Sequence, residues 1–205
     1  MKFAILFFIP AMLLAGCSQD AGDRREIAQG SPVEIDGIIS INEWQDAPSY
    51  RFEQNDFAQA TVFVKHDGKN LLLRFSYQNP QDSTMICPEF FIDTRRNKGQ
   101  AWAEDDYWFH VSAQDCYAIG KREDYSRCEV SAKDWSAYPN YPLGNQYRKI
   151  EEFEVAVPLE FLNLKVGQKI GLCFSLSIYP GEHRLNFPEG AHEDIPDSWM
   201  ELTLH

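Results

Sequence analysis

Ala60-Thr61-Val62-Phe63-Val64-Lys65-His66-Asp67-Gly68-Lys69-Asn70-Leu71-Leu72-Leu73-Arg74-Phe75-Ser76-Tyr77 is the stretch that decides the fold. Ala60, Val62 and Val64 alternate with Thr61, Phe63 and Lys65, and Leu71, Leu73, Phe75 and Tyr77 alternate on the return. Period two is the repeat of a strand, whose successive side chains point to opposite faces. The connecting His66-Asp67-Gly68-Lys69 supplies Asp-Gly, so the two runs predict a β-hairpin. Outward from it, further strands are expected over Met85–Asp93, Asp106–Ala113, Tyr117–Gly120, Arg127–Ser131, Lys149–Val157, Lys169–Ile178 and Trp199–Leu204. Helical signal is confined to Asn42–Ala47 and to a turn at Pro158–Leu162, with proline at its start. Many short strands separated by turn residues predict an all-β chain, a single antiparallel β-sandwich over residues 31–205.

The sandwich is preceded by two segments of other character. Lys2 followed by the apolar run Phe3–Leu14, then Ala15-Gly16-Cys17, has the layout of a bacterial lipoprotein signal peptide over residues 1–16. The run is shorter than the roughly 20 apolar residues of a membrane span. In this reading Cys17 is the lipidated N-terminus. Its acyl chains, at about 0.8 kcal/mol per buried methylene, attach the protein to a bilayer without a spanning helix. Ser18 follows the cysteine, and the lack of Asp there points to a bacterial outer membrane lipoprotein, exported and facing periplasm or cell surface. Residues 17–30, polar and of mixed charge, are expected to be a flexible tether.

A net charge of −12 excludes nucleic acid as a partner, because such binding depends on Lys and Arg neutralising phosphates. The same charge argues against a basic patch on anionic lipid. Aromatic residues at 14% exceed what the core of an acidic sandwich requires and leave rings for a binding face. Besides Cys17 there are Cys87, Cys116, Cys128 and Cys173; an even number in an exported chain favours disulfides. Cys116 and Cys128 flank a polar, glycine-containing stretch and are expected to pair, whereas Cys87 and Cys173 lie in apolar runs and either pair across the core or stay as buried thiols.

Several landmarks occur in an order that resembles the family 9 carbohydrate-binding modules and the wider DOMON-like sandwiches. They are Val33-Glu34-Ile35-Asp36-Gly37, Glu43-Trp44, the hairpin, Asn79-Pro80, Glu89-Phe90-Phe91-Ile92-Asp93, Asp105-Asp106-Tyr107-Trp108-Phe109, Phe153–Pro158 with Leu162, and Pro196-Asp197-Ser198-Trp199 with Leu202 and Leu204. The resemblance spans about Val33 to Leu204 and implies a non-catalytic module for oligo- or polysaccharide. In sugar-binding members of that family the ligand lies between two tryptophans and is fixed by a glutamate, an arginine and an asparagine. The glutamate corresponds to Glu89. The arginine's place holds His110, the tryptophans' places fall near Ser83 and among Ala191–Glu193, and the asparagine's falls near Gly190.

Read from the residues themselves, Glu89, Phe91 and Asp93 share one strand face, and Asp106, Trp108 and His110 share one on the next strand. Glu89 with His110 beside it is the expected centre of a sugar site, with Trp108, Trp102 or Trp135 as stacking surface and Tyr138 and Tyr141 as loop aromatics. The plain alternative pairs Glu89 with an arginine such as Arg74.

Three other chemistries have partial residue sets in the chain. Some relatives carry structural calcium, for which Glu104, Asp105 and Asp106 are the candidates here, although Ca²⁺ takes roughly six to eight oxygens and no EF-hand spacing is present. A DOMON-like branch binds haem through a methionine with a histidine or lysine; Met85, Met200 and His110 are nominal ligands, and no motif pairs them. No Gly-x-Ser-x-Gly, P-loop or HExxH occurs, so an enzyme is not expected. The expectation is a monomeric, lipid-anchored saccharide-binding module. A structural or interaction lipoprotein that has lost the sugar site is one alternative, and a haem-binding DOMON-like lipoprotein is a further one.

Overall fold

The hairpin pairs as its alternation requires, with Val62 opposite Phe75 and Val64 opposite Leu73. The computed structural model describes residues 25–40, 42–54, 58–78, 85–111, 116–120, 124–127, 135–140, 150–179 and 183–205. In chain order the strands are β1 (Glu26–Ile27), β2 (Ser49–Gln54), β3 (Ala58–His66), β4 (Asn70–Gln78), β5 (Met85–Asp93), β6 (Asp106–Val111), β7 (Cys116–Gly120), β8 (Asp124–Arg127), β9 (Ser136–Asn140), β10 (Ile150–Pro158), β11 (Lys169–Tyr179), β12 (His183–Phe187) and β13 (Met200–Leu204). A five-stranded sheet runs β2-β3-β4-β10-β9, and an eight-stranded sheet runs β1-β13-β11-β5-β6-β7-β8 with β12 also on β11. Asn42–Asp46 and Leu159–Asn163 form turns rather than helix, and Pro196–Ser198 is a short 3-10 turn.

The inner faces carry the period-two apolar residues and meet as aromatic contacts between sheets. Phe75 of β4 lies 6.3 Å from Phe90 of β5 and meets Phe174 of β11 edge-on at 6.0 Å. Phe90 and Phe109 stack at 4.5 Å. All four rings are fully buried, and removing one such ring typically costs about 3–5 kcal/mol.

The sandwich starts earlier than residue 31. Residues 25–30 belong to it, which corrects the expected tether: Ile27 is fully buried and β1 pairs in parallel with β13, Ile27 opposite Leu204. Gln29 bridges to His66 on the opposite sheet, so this segment closes one edge between the two layers. One isoleucine in a polar stretch gives too little periodicity to mark a strand. Residues 1–24, including the signal segment and Cys17, lie outside the described residues. Pro139, expected in a loop, sits in β9; this edge strand can accommodate a residue without an N–H.

The outer face of the five-stranded sheet is covered by residues 31–47. Trp44, Val33 and Ile35 pack on Leu72 and Ala156. Lys65, on the strand face opposite Val62 and Val64, is buried, with its ammonium on Asp46 at 2.6 Å, on the Glu43 carbonyl and on Ser31 Oγ at 3.2 Å. Glu154 is buried on the same face and accepts from Trp44 Nε1 at 3.0 Å and from the Gly37 amide at 3.1 Å. Gly37 turns the chain there at φ 73°, a conformation that favours glycine.

Burial pushes the Glu154 carboxyl from 4.5 up to about 6; the two donated bonds oppose this, and Glu43 and Asp36 reinforce it. The folded state therefore holds this proton more tightly than the unfolded chain. Stability linked to Glu154 is fully present below about pH 4.5 and is lost as pH rises through about 6. At 1.36 kcal/mol per pK unit the change is about 2 kcal/mol. Denaturant midpoints of wild type and Glu154→Gln from pH 4 to 7 are expected to converge in slope only outside that window.

Candidate functional site

On the outer face of the eight-stranded sheet, register alone sets up a row of polar side chains. Asn186 of β12 is opposite Ser175 of β11, Ser175 opposite Glu89 of β5, Glu89 opposite His110 of β6, and His110 opposite Tyr117 of β7. Ser177 and Arg184 pair one step along. Phe90, Ile92 and Phe109 take the alternate positions into the core, as the sequence pattern predicts.

Glu89 is 1% exposed, and both its oxygens are taken by protein. Oε1 accepts from His110 Nδ1 at 2.8 Å; Oε2 accepts from Ser177 Oγ at 2.7 Å and pairs with an Arg184 amino group at 2.9 Å. Arg184 Nε donates to Ser177 Oγ at 3.1 Å, and its other amino group meets Glu193 at 2.8 Å. Glu89 thus sits beneath the surface as the acceptor that fixes His110 and Arg184. Arg184 and Glu193, each a little over one quarter exposed, face outward. The plain alternative of a Glu89–Arg74 pair does not form: Arg74 lies on the other sheet, paired with Glu152.

Aromatic rings flank this network. Tyr117 stacks on His110 at 4.7 Å, and Trp108 meets Tyr117 edge-on at 5.3 Å. Phe91, Trp199, Cys173 and Ala191 form a small outer cluster on which half-buried Trp102 and Trp108 pack. Trp102 Nε1 donates to the Glu193 carbonyl at 2.8 Å and Trp199 Nε1 to that of His192 at 2.9 Å, so residues 192–193 are held over the sheet. Three polar atoms here, Ser175 Oγ, Asn186 Oδ1 and Trp108 Nε1, are buried and have no hydrogen-bond partner among the described residues.

Trp135 is not part of this face. It is 1% exposed and packs edge-on against Phe109 at 5.1 Å inside the sandwich, so it offers no stacking surface. Tyr141, Ser83 and the Tyr138 side chain lie outside the described residues. The residues that sequence reasoning passed over are Arg184, Ser177, Asn186 and Glu193. The available signal was Ser175 and Ser177, two polar residues at alternate positions in the otherwise apolar run of β11. Their spacing marks a polar outer face.

The acidic candidates separate. Asp105 and Asp106 are buried together with Asp93, and one oxygen of each lies within 4.8 Å of the others. Glu104 is exposed in the turn and belongs to no such group; Asp93 takes its place because β5 and β6 set it opposite Asp106. Gly171 permits this packing, since a Cβ there would come within 3.1 Å of Asp93 Cβ. Asp93 accepts from the amides of Arg95, Asn97 and Lys98, and Asp105 from the Asn97 side chain. Burial pushes the Asp106 carboxyl up to about 7, with the charges of Asp93 and Asp105 adding to it. Asp106 Oδ1 has no donor among the described residues. Three buried carboxylates with an orphaned oxygen fit a hard cation such as Ca²⁺.

The haem ligands do not assemble as a Met200–His110 pair, because Met200 packs on the inner core and His110 lies on the outer face. Cys87 and Cys173 are both buried, and burial pushes the Cys173 thiol up to about 12, far from the thiolate a reactive cysteine needs. Cys128 lies outside the described residues.

No protein-family model matches the chain, and no curated protein sequence matches it. Among solved structures, a family 9 carbohydrate-binding module from Caldicellulosiruptor kristjanssonii in complex with cellotriose superposes with a TM-score of 0.64 at 15% identity, over 88% of this chain and 93% of that one. A family 9 module from the same organism in complex with glucose gives 0.58 at 16% identity, over 89% and 95%. A candidate carbohydrate-binding protein from Bacteroides uniformis gives 0.56 at 11% identity, over 88% and 97%. At these identities the likeness is one of fold: this chain has the family 9 carbohydrate-binding module sandwich.

Proposed function

We propose that this protein is a lipid-anchored, non-catalytic module that holds saccharide at the bacterial cell envelope. The observation that carries the reading is the Glu89–His110–Ser177–Arg184 network, set beside half-buried Trp108 and Trp102 on the outer face of the larger sheet. Sugar hydroxyls call for fixed charged donors and acceptors, and the C–H faces of a ring call for aromatic surface. Glu89 supplies the orientation, while Arg184 and Glu193 supply the exposed fork donor and its neighbouring acceptor. The structural neighbours, in complex with cellotriose and with glucose, support the same class of ligand.

Cys17 carries the anchor in this reading, with residues 18–24 as the tether and the outer membrane as its location. Cys116 and Cys128 pair across the β7–β8 hairpin, where their neighbours Tyr117 and Arg127 stand opposite one another. Asp93, Asp105 and Asp106 hold structural Ca²⁺. A panel of immobilised oligosaccharides is expected to retain the folded domain, and Cys17→Ala is expected to move the protein from the membrane to the soluble fraction. Retention by no saccharide turns the assignment to a structural or interaction lipoprotein. Membrane association of Cys17→Ala after a high-salt wash removes the lipid anchor from it.

A further inference from the structure

Among the described residues every exposed lysine lies at one end of the sandwich. Lys69 is in the β3–β4 turn, Lys98 is in the β5–β6 loop, and Lys165 and Lys169 bracket the turn that leads into β11. Arg95 and Arg96 join them from the β5–β6 loop. Register and turn bonds bring these segments together. The Leu159 amide donates to the Lys69 carbonyl at 2.7 Å, and Gly171 of β11 stands opposite Asp93 at the close of β5. Gln168 ties two of the basic segments directly: its Nε2 donates to the Thr94 carbonyl at 2.7 Å, and its Oε1 accepts from the Lys165 amide at 3.2 Å. Val166, next to Lys165 in that turn, is 54% exposed. The cations outnumber the carboxylates of Asp67, Glu104, Glu160 and Glu201 at this end. Asp67 is engaged by amides of its own turn, and Glu201 pairs with Lys169, Arg96 and Lys98. The whole chain carries −12, so this end is positive against an acidic remainder.

We infer that this end is a bilayer-facing surface that rests on anionic phospholipid headgroups. Resting on the lipid-anchor reading, this contact gives the tethered domain its orientation. The chain enters the domain beside the patch. Thr203 donates to the Arg25 carbonyl and stands opposite Glu26 on one side and Lys169 on the other. The point of entry and Lys169 are therefore two strand spacings apart, roughly 10 Å. Residues 18–24 span at most about 25 Å, so an acyl group on Cys17 keeps this end near the headgroups. Lysine stems and Val166 meet the apolar boundary while the ammonium groups stay among the phosphates. Such attraction acts within a screening length of about 8 Å at physiological salt and strengthens contact roughly fivefold per cation. It selects which end faces the bilayer, and the acidic remainder is repelled. Ser175, opposite Glu89, lies further along β11 from Lys169 by about 20 Å, which holds the proposed saccharide row off the membrane.

The test reconstitutes wild type, purified from host membranes, into vesicles of phosphatidylcholine alone or of phosphatidylcholine with phosphatidylglycerol. Amine acylation followed by peptide mapping reads Lys69, Lys98, Lys165 and Lys169 one by one. Each is expected to react about fivefold more slowly on the anionic vesicles at low salt. The difference is expected to vanish near about 1 M salt, where the screening length falls to about 3 Å. Lys165→Glu is expected to abolish the protection of the other three. Arg51→Glu makes the same change of charge on β2, away from this end, and is expected to keep it. Both side chains are exposed, so neither substitution disturbs the fold. Equal reactivity on the two kinds of vesicle overturns the bilayer-facing surface and leaves the lipid anchor standing. Protection lost equally in both variants assigns the effect to net charge and overturns the surface too. Wild type that washes off neutral vesicles overturns the lipid anchor instead, and protection on anionic vesicles still decides the surface.

Discussion

Glu89→Ala is expected to lower the unfolding free energy by about 3–5 kcal/mol, the usual cost of removing one partner from a buried charged pair. The carboxylate is the acceptor for His110, Ser177 and Arg184 together, and it is 1% exposed. Its loss leaves the Arg184 guanidinium with Glu193 as its remaining charged partner among the described residues and Ser177 Oγ as a neutral one, and leaves an imidazole N–H and a hydroxyl without their acceptor. At about 2–4 °C per kcal/mol for a chain of this size, the melting temperature falls by roughly 6–20 °C. Arg51→Ala, which removes an exposed pair, leaves the melt where it is. Saccharide retention is lost along with stability, because Arg184 loses the contact that orients it. Glu89→Gln separates the two effects. An amide keeps an acceptor for Arg184 or Ser177 and preserves the volume, so the melt recovers in part while retention remains weak. A wild-type melting curve for Glu89→Ala overturns the description of a buried, fully engaged carboxylate.

The second large effect is expected from divalent metal. With Asp93, Asp105 and Asp106 buried together, each added negative charge raises the cost of the next, and a bound cation relieves it. Calcium at one hundred times its dissociation constant stabilises by about 2.7 kcal/mol. This raises the melting temperature by roughly 5–11 °C, and chelation reverses it. Asp106→Asn is expected to abolish the response and, in chelator, to melt no lower than wild type, because the amide keeps an acceptor for the Ala103 N–H while removing a buried ionisable group whose other oxygen has no donor among the described residues. A melting curve indifferent to calcium and to chelator removes the metal from the proposed function.

The strands that carry the fold were legible because both faces of the sandwich obey period two. Phe90, Ile92 and Phe109 point inward and Glu89, Phe91, Trp108 and His110 outward, as alternation dictates. Alternation says which face a residue takes but not what covers that face. Lys65 and Glu154 take the face away from the core between the sheets, and residues 31–47 bury both. Trp135 stands at the start of an edge strand whose sequence is not apolar, and only the neighbouring ring of Phe109 puts it in the core. Arg184 went unread for a related reason. His183-Arg184-Leu185-Asn186-Phe187 is short and polar at alternate positions, and its pairing with β11 is set at long range rather than by its own composition. Arg184 of β12 thus reaches the same carboxylate as His110 of β6.

Arg25–Gly30 is the segment through which any pull on the preceding chain enters the domain. It is bonded to both layers: Thr203 donates to the Arg25 carbonyl and His205 to that of Ile27, while Gly30 donates to the His66 carbonyl and His66 to that of Ala28. A tensile load applied upstream of Arg25 is thus divided at once between the larger sheet through β13 and the smaller through β3. The two layers are drawn together as parts of one mechanical unit rather than peeled apart one at a time. The proposed saccharide face lies on β5, β6, β11 and β12, none of which is bonded to this segment. Force would reach that face only after passing through the strands between, so the proposed anchor upstream of Arg25 would load the domain without acting directly on the proposed binding face.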